Sequence, residues 1–158
     1  MNRQASGFGI RSAPSLDMES SMIIVVGKLP MQQPWLEELI QTCGWKFKTV
    51  SGLIPLREFD PSNIAAILIN AHSLQLPWKD CLLWIRSVAP NTLCILCHGF
   101  TETLDWISLT SCGAYHSLHL PLDPSEVRQA LGFVSMSRNQ SNGKTRSIAK
   151  LAGCLQNQ

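Results

Sequence analysis

Apolar residues along this chain follow two alternating patterns: short unbroken runs, and stretches where they recur every third or fourth position. The first run, Met22 to Val26, is rich in β-branched residues and stops at Gly27, as a strand buried on both faces would. Pro34 then opens a stretch with Leu36, Leu39, Ile40 and Cys43 at helical spacing, and Gly44 closes it. Phe47 to Val50 reads as a short second strand. The segment after it contains Pro55, so its helix is expected to be short or irregular. Ile64 to Ile69 is a second fully apolar run, preceded by the Asp60-Pro61 turn and ended by Asn70. Pro77 starts another helix, with Trp78, Cys81, Leu82 and Ile85 on one face, ending before Pro90. Leu93 to Cys97 is a third apolar strand, Thr103 to Ser111 a helix capped by Gly113, and Ser117 to Leu120 a short strand before Pro121. Asp123, Pro124 and Glu126 supply an N-cap, a first-turn proline and a capping-box acid. Val127, Ala130 and Leu131 line the last helix.

Five buried strands alternating with amphipathic helices predict an α/β fold with a parallel sheet covered on both faces. The expected architecture is a flavodoxin-like (βα)5 three-layer α/β/α sandwich with strand order 2-1-3-4-5. The domain is expected over residues 22–134. Residues 1–21, polar and without period, read as a disordered leader, and residues 135–158 as a basic linker and short helical tail.

Charge changes this picture little. The formal net charge is +2, and residues 22–134 hold slightly more acid than base. Residues 135–158 carry Arg138, Lys144, Arg146 and Lys150 with no acid, which suggests an interaction tail. No run of 18 apolar residues exists, so no membrane span is expected. The polar N-terminus does not read as a secretion signal. A cytoplasmic location is expected, with the six cysteines as reduced thiols.

The stretch Leu82 to Leu96 and the stretch Leu120 to Val127, with Gly113-Ala114 before it, resemble the receiver domain of bacterial response regulators (CheY-like). The resemblance covers about 110 residues and is carried by the third helix, its Pro-containing exit, the fourth strand, the fifth strand and the entry to the fifth helix. It implies a phosphorylation site at the carboxyl ends of the strands. Such a site has an acidic pair for Mg²⁺, an Asp acceptor, a hydroxyl, a lysine and an aromatic switch residue. Here the acidic-pair positions are Gly27 and Lys28, the acceptor position Asn70, the hydroxyl position Cys97, the lysine position Leu120 and the aromatic position Ser117. Mg²⁺ wants hard carboxylate oxygens, and an amide cannot serve as the nucleophile that forms an acyl phosphate. The chain therefore reads as a degenerate receiver, a pseudo-receiver, with no catalytic residue, no cofactor and no metal. Lys28 either supplies the charge a metal would bring and hydrogen-bonds Asn70, or points into solvent, the commoner fate of a lysine.

Function would then rest on protein contacts, in a two-component or transcription-control pathway. In receivers the surface for dimers and output is the α4-β5-α5 face, formed by the fourth and fifth helices and the fifth strand. Trp84, Trp106, Tyr115, His119 and Leu122 are the candidate interface residues, tryptophan being enriched at binding hot spots. Partners are expected to be proteins, including a second copy through that face. The alternative is a DNA-binding response-regulator fragment. Ile148-Ala149-Lys150-Leu151-Ala152-Gly153 resembles the start of a helix-turn-helix, but the chain stops at Gln158 before a recognition helix, so DNA contact would need a longer output region.

Three other motifs do not survive their context. Cys94-x-x-Cys97-His98 matches a haem attachment string. Cys94, Cys97, Cys112 and His116 have zinc-like spacing. On a regular strand Cys94 and Cys97 point to opposite faces, against both readings. The turn Gly27 to Met31 lacks the Ser/Thr/Gly cradle a flavin phosphate would need.

Overall fold

The computed structural model describes residues 21–29, 34–99 and 104–138. The leader up to residue 20, the Pro30-Met31 turn, the expected helix start at Thr103 and the tail from residue 139 lie outside the described residues. Five strands, β1 (Met22–Val26), β2 (Lys46–Val50), β3 (Ile64–Ile69), β4 (Leu93–His98) and β5 (Ala114–His119), form one sheet in the order β2-β1-β3-β4-β5. Every pairing is parallel. The helices are α1 (Pro34–Thr42), α2 (Trp78–Val88), α3 (Trp106–Ser111) and α4 (residues 124–138). The expected fold class and strand order are those observed.

Side chains of the central strands alternate between two cores, as the pleat requires. Ile23, Val25, Leu68, Ile95 and Cys97 pack under α1 and α4, together with Leu36, Ile40, Val127 and Leu131. Ile24, Val26, Ile67, Ile69, Cys94 and Leu96 pack on the other side under α2 and α3, against Leu82, Ile85 and Leu109. Cys94 and Cys97 thus face opposite layers.

Three details differ from the pattern-based expectation. The connection from β2 to β3 contains no α-helix: it makes two 3-10 turns, Ile54–Glu58 and Pro61–Asn63. Pro55 and Pro61 stand near the start of each, where a missing N–H costs nothing, and Leu56 alone of these residues is buried. The two helices that flank β5 are therefore the third and fourth among the described residues, and the expected interface is the α3-β5-α4 face.

Second, β5 begins at Ala114, not Ser117, and ends at His119. The register with β4 steps from Cys94↔Ala114 to Ile95↔His116, which leaves Tyr115 as a bulge residue. The bulge breaks the alternation that would have marked the strand. Third, α4 runs through residue 138, past the linker start expected at 135. Val134 continues the buried stripe of Val127, Ala130 and Leu131, and Arg138 Nη2 donates to Ser21 Oγ at 3.3 Å.

The two sheet edges differ in character. β2 exposes Lys46 and Lys48. β5 carries no lysine, arginine or acid.

Ile67 and Leu68 are each fully buried, on opposite faces of β3. Truncating either to Ala is expected to cost about 2–5 kcal/mol. Ile107→Ala, at an exposed position, should stay within about 0.5 kcal/mol. Urea denaturation of the three variants measures this; equal losses at all three positions would contradict the two-core arrangement.

Candidate functional site

Parallel α/β sheets place their sites at the carboxyl ends of the strands, where the crossovers diverge. Here β1 delivers Gly27 and Lys28, β3 delivers Asn70, β4 delivers Cys97 and His98, and β5 leads into Leu120. The ladder holds the mouth together: Gly27 N–H donates to Val50 O at 2.9 Å, Asn70 N–H to Val26 O at 3.0 Å and Leu120 N–H to His98 O at 2.7 Å.

The first of these ends is closed by a serine. After Asn70 the chain turns at once into a 3-10 helix, Ala71–Leu74, which brings Ser73 back over β1. The Ser73 hydroxyl donates to Asn70 O at 2.8 Å and accepts from Lys28 N–H at 2.9 Å. The Asn70 amide completes the clamp, its Nδ2 donating to Lys28 O at 2.6 Å. Three residues from two loops are thereby tied through main-chain groups.

Gly27 is required by this clamp twice over. Its φ is +90°, where side-chain-bearing residues are strained. A Cβ there would also fall on the Ser73 hydroxyl and lie 2.9 Å from Asn70 O. No carboxylate can therefore stand at position 27 without opening the turn.

Lys28 resolves in favour of the second alternative. It is exposed, and Asn70 contacts its carbonyl, not its ammonium. The expected Lys28–Asn70 hydrogen bond exists, but through the backbone, so the lysine charge is not delivered to the pocket. Asn70 itself is buried, and its Oδ1 has no hydrogen-bond partner.

The other positions are apolar or withdrawn. Cys97 and Leu120 are buried in the core beneath α1 and α4. Burial pushes the Cys97 thiol up to about 12, and the Cys94 thiol likewise to about 12, so both are neutral near pH 7. Ser117 is half-buried in β5, opposite Leu96. Among the described residues no group of three or more His, Cys, Asp or Glu could hold a metal ion.

Register also assembles a pair that residue-by-residue reading missed. His98 and His119 are paired across β4 and β5, and their rings meet edge-on with centroids 4.3 Å apart. His98 is buried, with Nδ1 3.3 Å from Gly99 O. Nothing in the local sequence relates these two histidines; only the β4–β5 register does. Ser73 left no trace in the sequence either, because its partners are 45 residues and three residues away.

The expected interface residues divide. Leu122 is buried in the core with Val127 and Leu131, because it follows Pro121 straight into the start of α4, and it offers no surface. Trp84 is half-buried against the α2-side core and covered by the Arg57 guanidinium, 5.4 Å from its ring centroid, so it belongs to a different side of the molecule. Tyr115 is half-buried and its hydroxyl donates to Phe133 O at 3.1 Å, stapling β5 to α4. His119 is exposed. Trp106 remains, 54% exposed, beside Ile107 at 72%. Asp105 fixes both by capping α3: its carboxylate accepts from Ser108 N–H at 3.1 Å and Ser108 Oγ at 2.9 Å, and these bonds hold it below the usual carboxylate range.

No family model and no curated protein matches the chain. Solved structures do. A response regulator receiver domain from Clostridium thermocellum is similar with a TM-score of 0.64 at 19% identity, covering 76% of this chain and 98% of that one. The receiver domain of the TMAO respiratory system response regulator TorR gives 0.64 and 19%, covering 74% and 98%. A protein from Burkholderia thailandensis described as a pilus assembly protein gives 0.59 and 17%, covering 73% and 98%. The fold of this chain is the CheY-like receiver fold.

Two measurements test the site. Gly27→Ala should cost about 2 kcal/mol or more by urea denaturation, and less in a Ser73→Gly background, where the clash with the Ser73 hydroxyl is relieved while the close contact with Asn70 O and the φ strain stay. A penalty unchanged by Ser73→Gly would remove the clamp from the explanation. Cys94 and Cys97 should resist alkylation at pH 8 in the native protein and react on unfolding. Since both thiols ionise near 9 when unfolded and near 12 when folded, the unfolded state sheds their protons first, so stability should fall as pH rises from about 9 toward 12.

Proposed function

We propose that this receiver-fold chain is a phosphorylation-independent signalling module, which acts by protein contact through its α3-β5-α4 face. The observation that carries the reading is the clamp at the mouth of the sheet. Ser73 and Asn70 are tied to the Lys28 main chain, close over Gly27, at the strand ends, where in this reading a phosphorylated receiver would hold its metal and acyl phosphate. Developing charge on a phosphoryl group would find no lysine and no carboxylate-bound cation to stabilise it. No chemistry is left for these positions, and the reading assigns the chain no enzymatic step.

The contact face is supported by Trp106 and Ile107, held outward by the Asp105 cap, and by β5, an edge strand without charged residues. Phe133 and Met136 on α4 are exposed as well. A two-component or transcription-control setting follows from the resemblance to receivers. No helix among the described residues is long and apolar enough to cross a membrane. The alternative reading, DNA contact through the basic tail, concerns residues outside those described, and no structural observation favours it.

Incubation with acetyl phosphate and Mg²⁺ should leave the protein unlabelled, and Asn70→Asp alone should not restore labelling, because Gly27 and Leu120 remain. Acid-labile label on the natural chain would sink the reading. The contact face is tested by sedimentation velocity on the natural chain and a Trp106→Ala/Ile107→Ala variant. The natural chain should self-associate with rising concentration and the variant markedly less, with unchanged thermal stability.

A further inference from the structure

The missing helix between β2 and β3 leaves a space. In this architecture each crossover covers part of a sheet face. Two 3-10 turns, five and three residues long, cover less than a full helix would. Between them, the start of β3 and the end of α2 lies a cleft of about 410 Å³, walled by Leu56, Phe59, Ile64, Ile67 and Val88. Its volume falls in the lower part of the range of small-ligand pockets, roughly 300–1,000 Å³. It sits at the amino end of β3, some six residues from Asn70 and so roughly 20 Å from the clamped site.

One charged group lines this apolar space. Arg57 stands on the first 3-10 turn and reaches across to the Trp84 ring on α2, its guanidinium carbon 5.4 Å from the ring centroid. A cation–π contact does not use up the guanidinium N–H donors. Among the described residues it forms no ion pair, and the nearby Asp60 carboxylate is turned onto Ser62 N–H and Oγ instead. An apolar cleft with one oriented, unpaired guanidinium at its rim matches a molecule with an apolar body and one planar anionic head.

We propose that this cleft binds a small amphipathic monocarboxylic acid, with its hydrocarbon part against Ile64, Ile67 and Val88 and its carboxylate on Arg57. A single guanidinium with no neighbouring cation or long-helix N-terminus suits a singly charged carboxylate better than a phosphate. The site is separate from the face assigned to protein contact, so the two proposals stand or fall independently.

The test uses the whole 158-residue chain, titrated with decanoate and with decanol as the uncharged match, followed by amide NMR shifts. Decanoate is expected to shift the amides of Leu56, Phe59 and Ile67 and to bind about fivefold more tightly than decanol. Arg57→Gln, at an exposed position, should bring that ratio close to one while leaving decanol binding in place. Val88→Phe should weaken both ligands by filling the cleft; if it does not fold, the Arg57→Gln ratio still decides. The proposal is overturned if decanoate up to about 5 mM, a concentration that would detect even weak binding, moves none of these amides. Shifts confined to another surface, or a ratio that survives Arg57→Gln, overturn it equally.

Discussion

All six residues of β3 are buried, so neither face of that strand reaches water, and its amides must be paired within the sheet. β1 and β4 supply that pairing on either side. This confinement fixes the rest. Alternate side chains must be accepted by two separate cores, so helices are needed on both sides, and the crossovers that carry them must all diverge at the same end of the sheet. The residues at that end are held by the ladder to within a hydrogen bond of one another, whatever their chemistry.

In this chain that convergence closes the mouth of the sheet. Cys97 and Leu120 extend the core beneath α1 and α4 up to the strand ends, Ser73 ties the β1 and β3 exits together, and Gly27 makes the close approach possible. The strand ends of this chain thereby bring Lys28, Asn70 and Ser73 into hydrogen-bond contact. The buried Asn70 Oδ1 without a partner is the one cost visible at this point, since an unsatisfied buried acceptor is worth roughly 1–3 kcal/mol.

Much of the fold was legible because the central strands are unbroken apolar runs. Met22–Val26, Ile64–Ile69 and the β4 run declare their own boundaries to within a residue, and the strand order follows from their alternation with helices. The edge strand was less legible: a bulge at Tyr115 cancels the period that would have revealed Ala114 to His116. Leu122 looks like surface from the sequence, three residues beyond β5, yet the turn at Pro121 points it inward. Trp84 sits off the buried stripe of its helix as its spacing suggests, but Arg57, from a distant loop, covers it. At the site, the absence of carboxylates could be read position by position. The clamp could not, because its partners meet only through folding: Ser73 lies 45 residues from Lys28, and His98 finds His119 only through the register of a parallel pair.

The unlike edges of the sheet set a limit on how copies of this chain can join. A sheet that offers two open edges can be extended from either side, and each added unit presents a fresh edge, so growth has no natural end. Here β2 sets Lys46 and Lys48 against any approaching strand, and only β5 is left uncharged. Two copies that met through their β5 edges would leave lysine-guarded strands on both outer sides. Assembly by such a route would close at a pair and would not run on into a fibre.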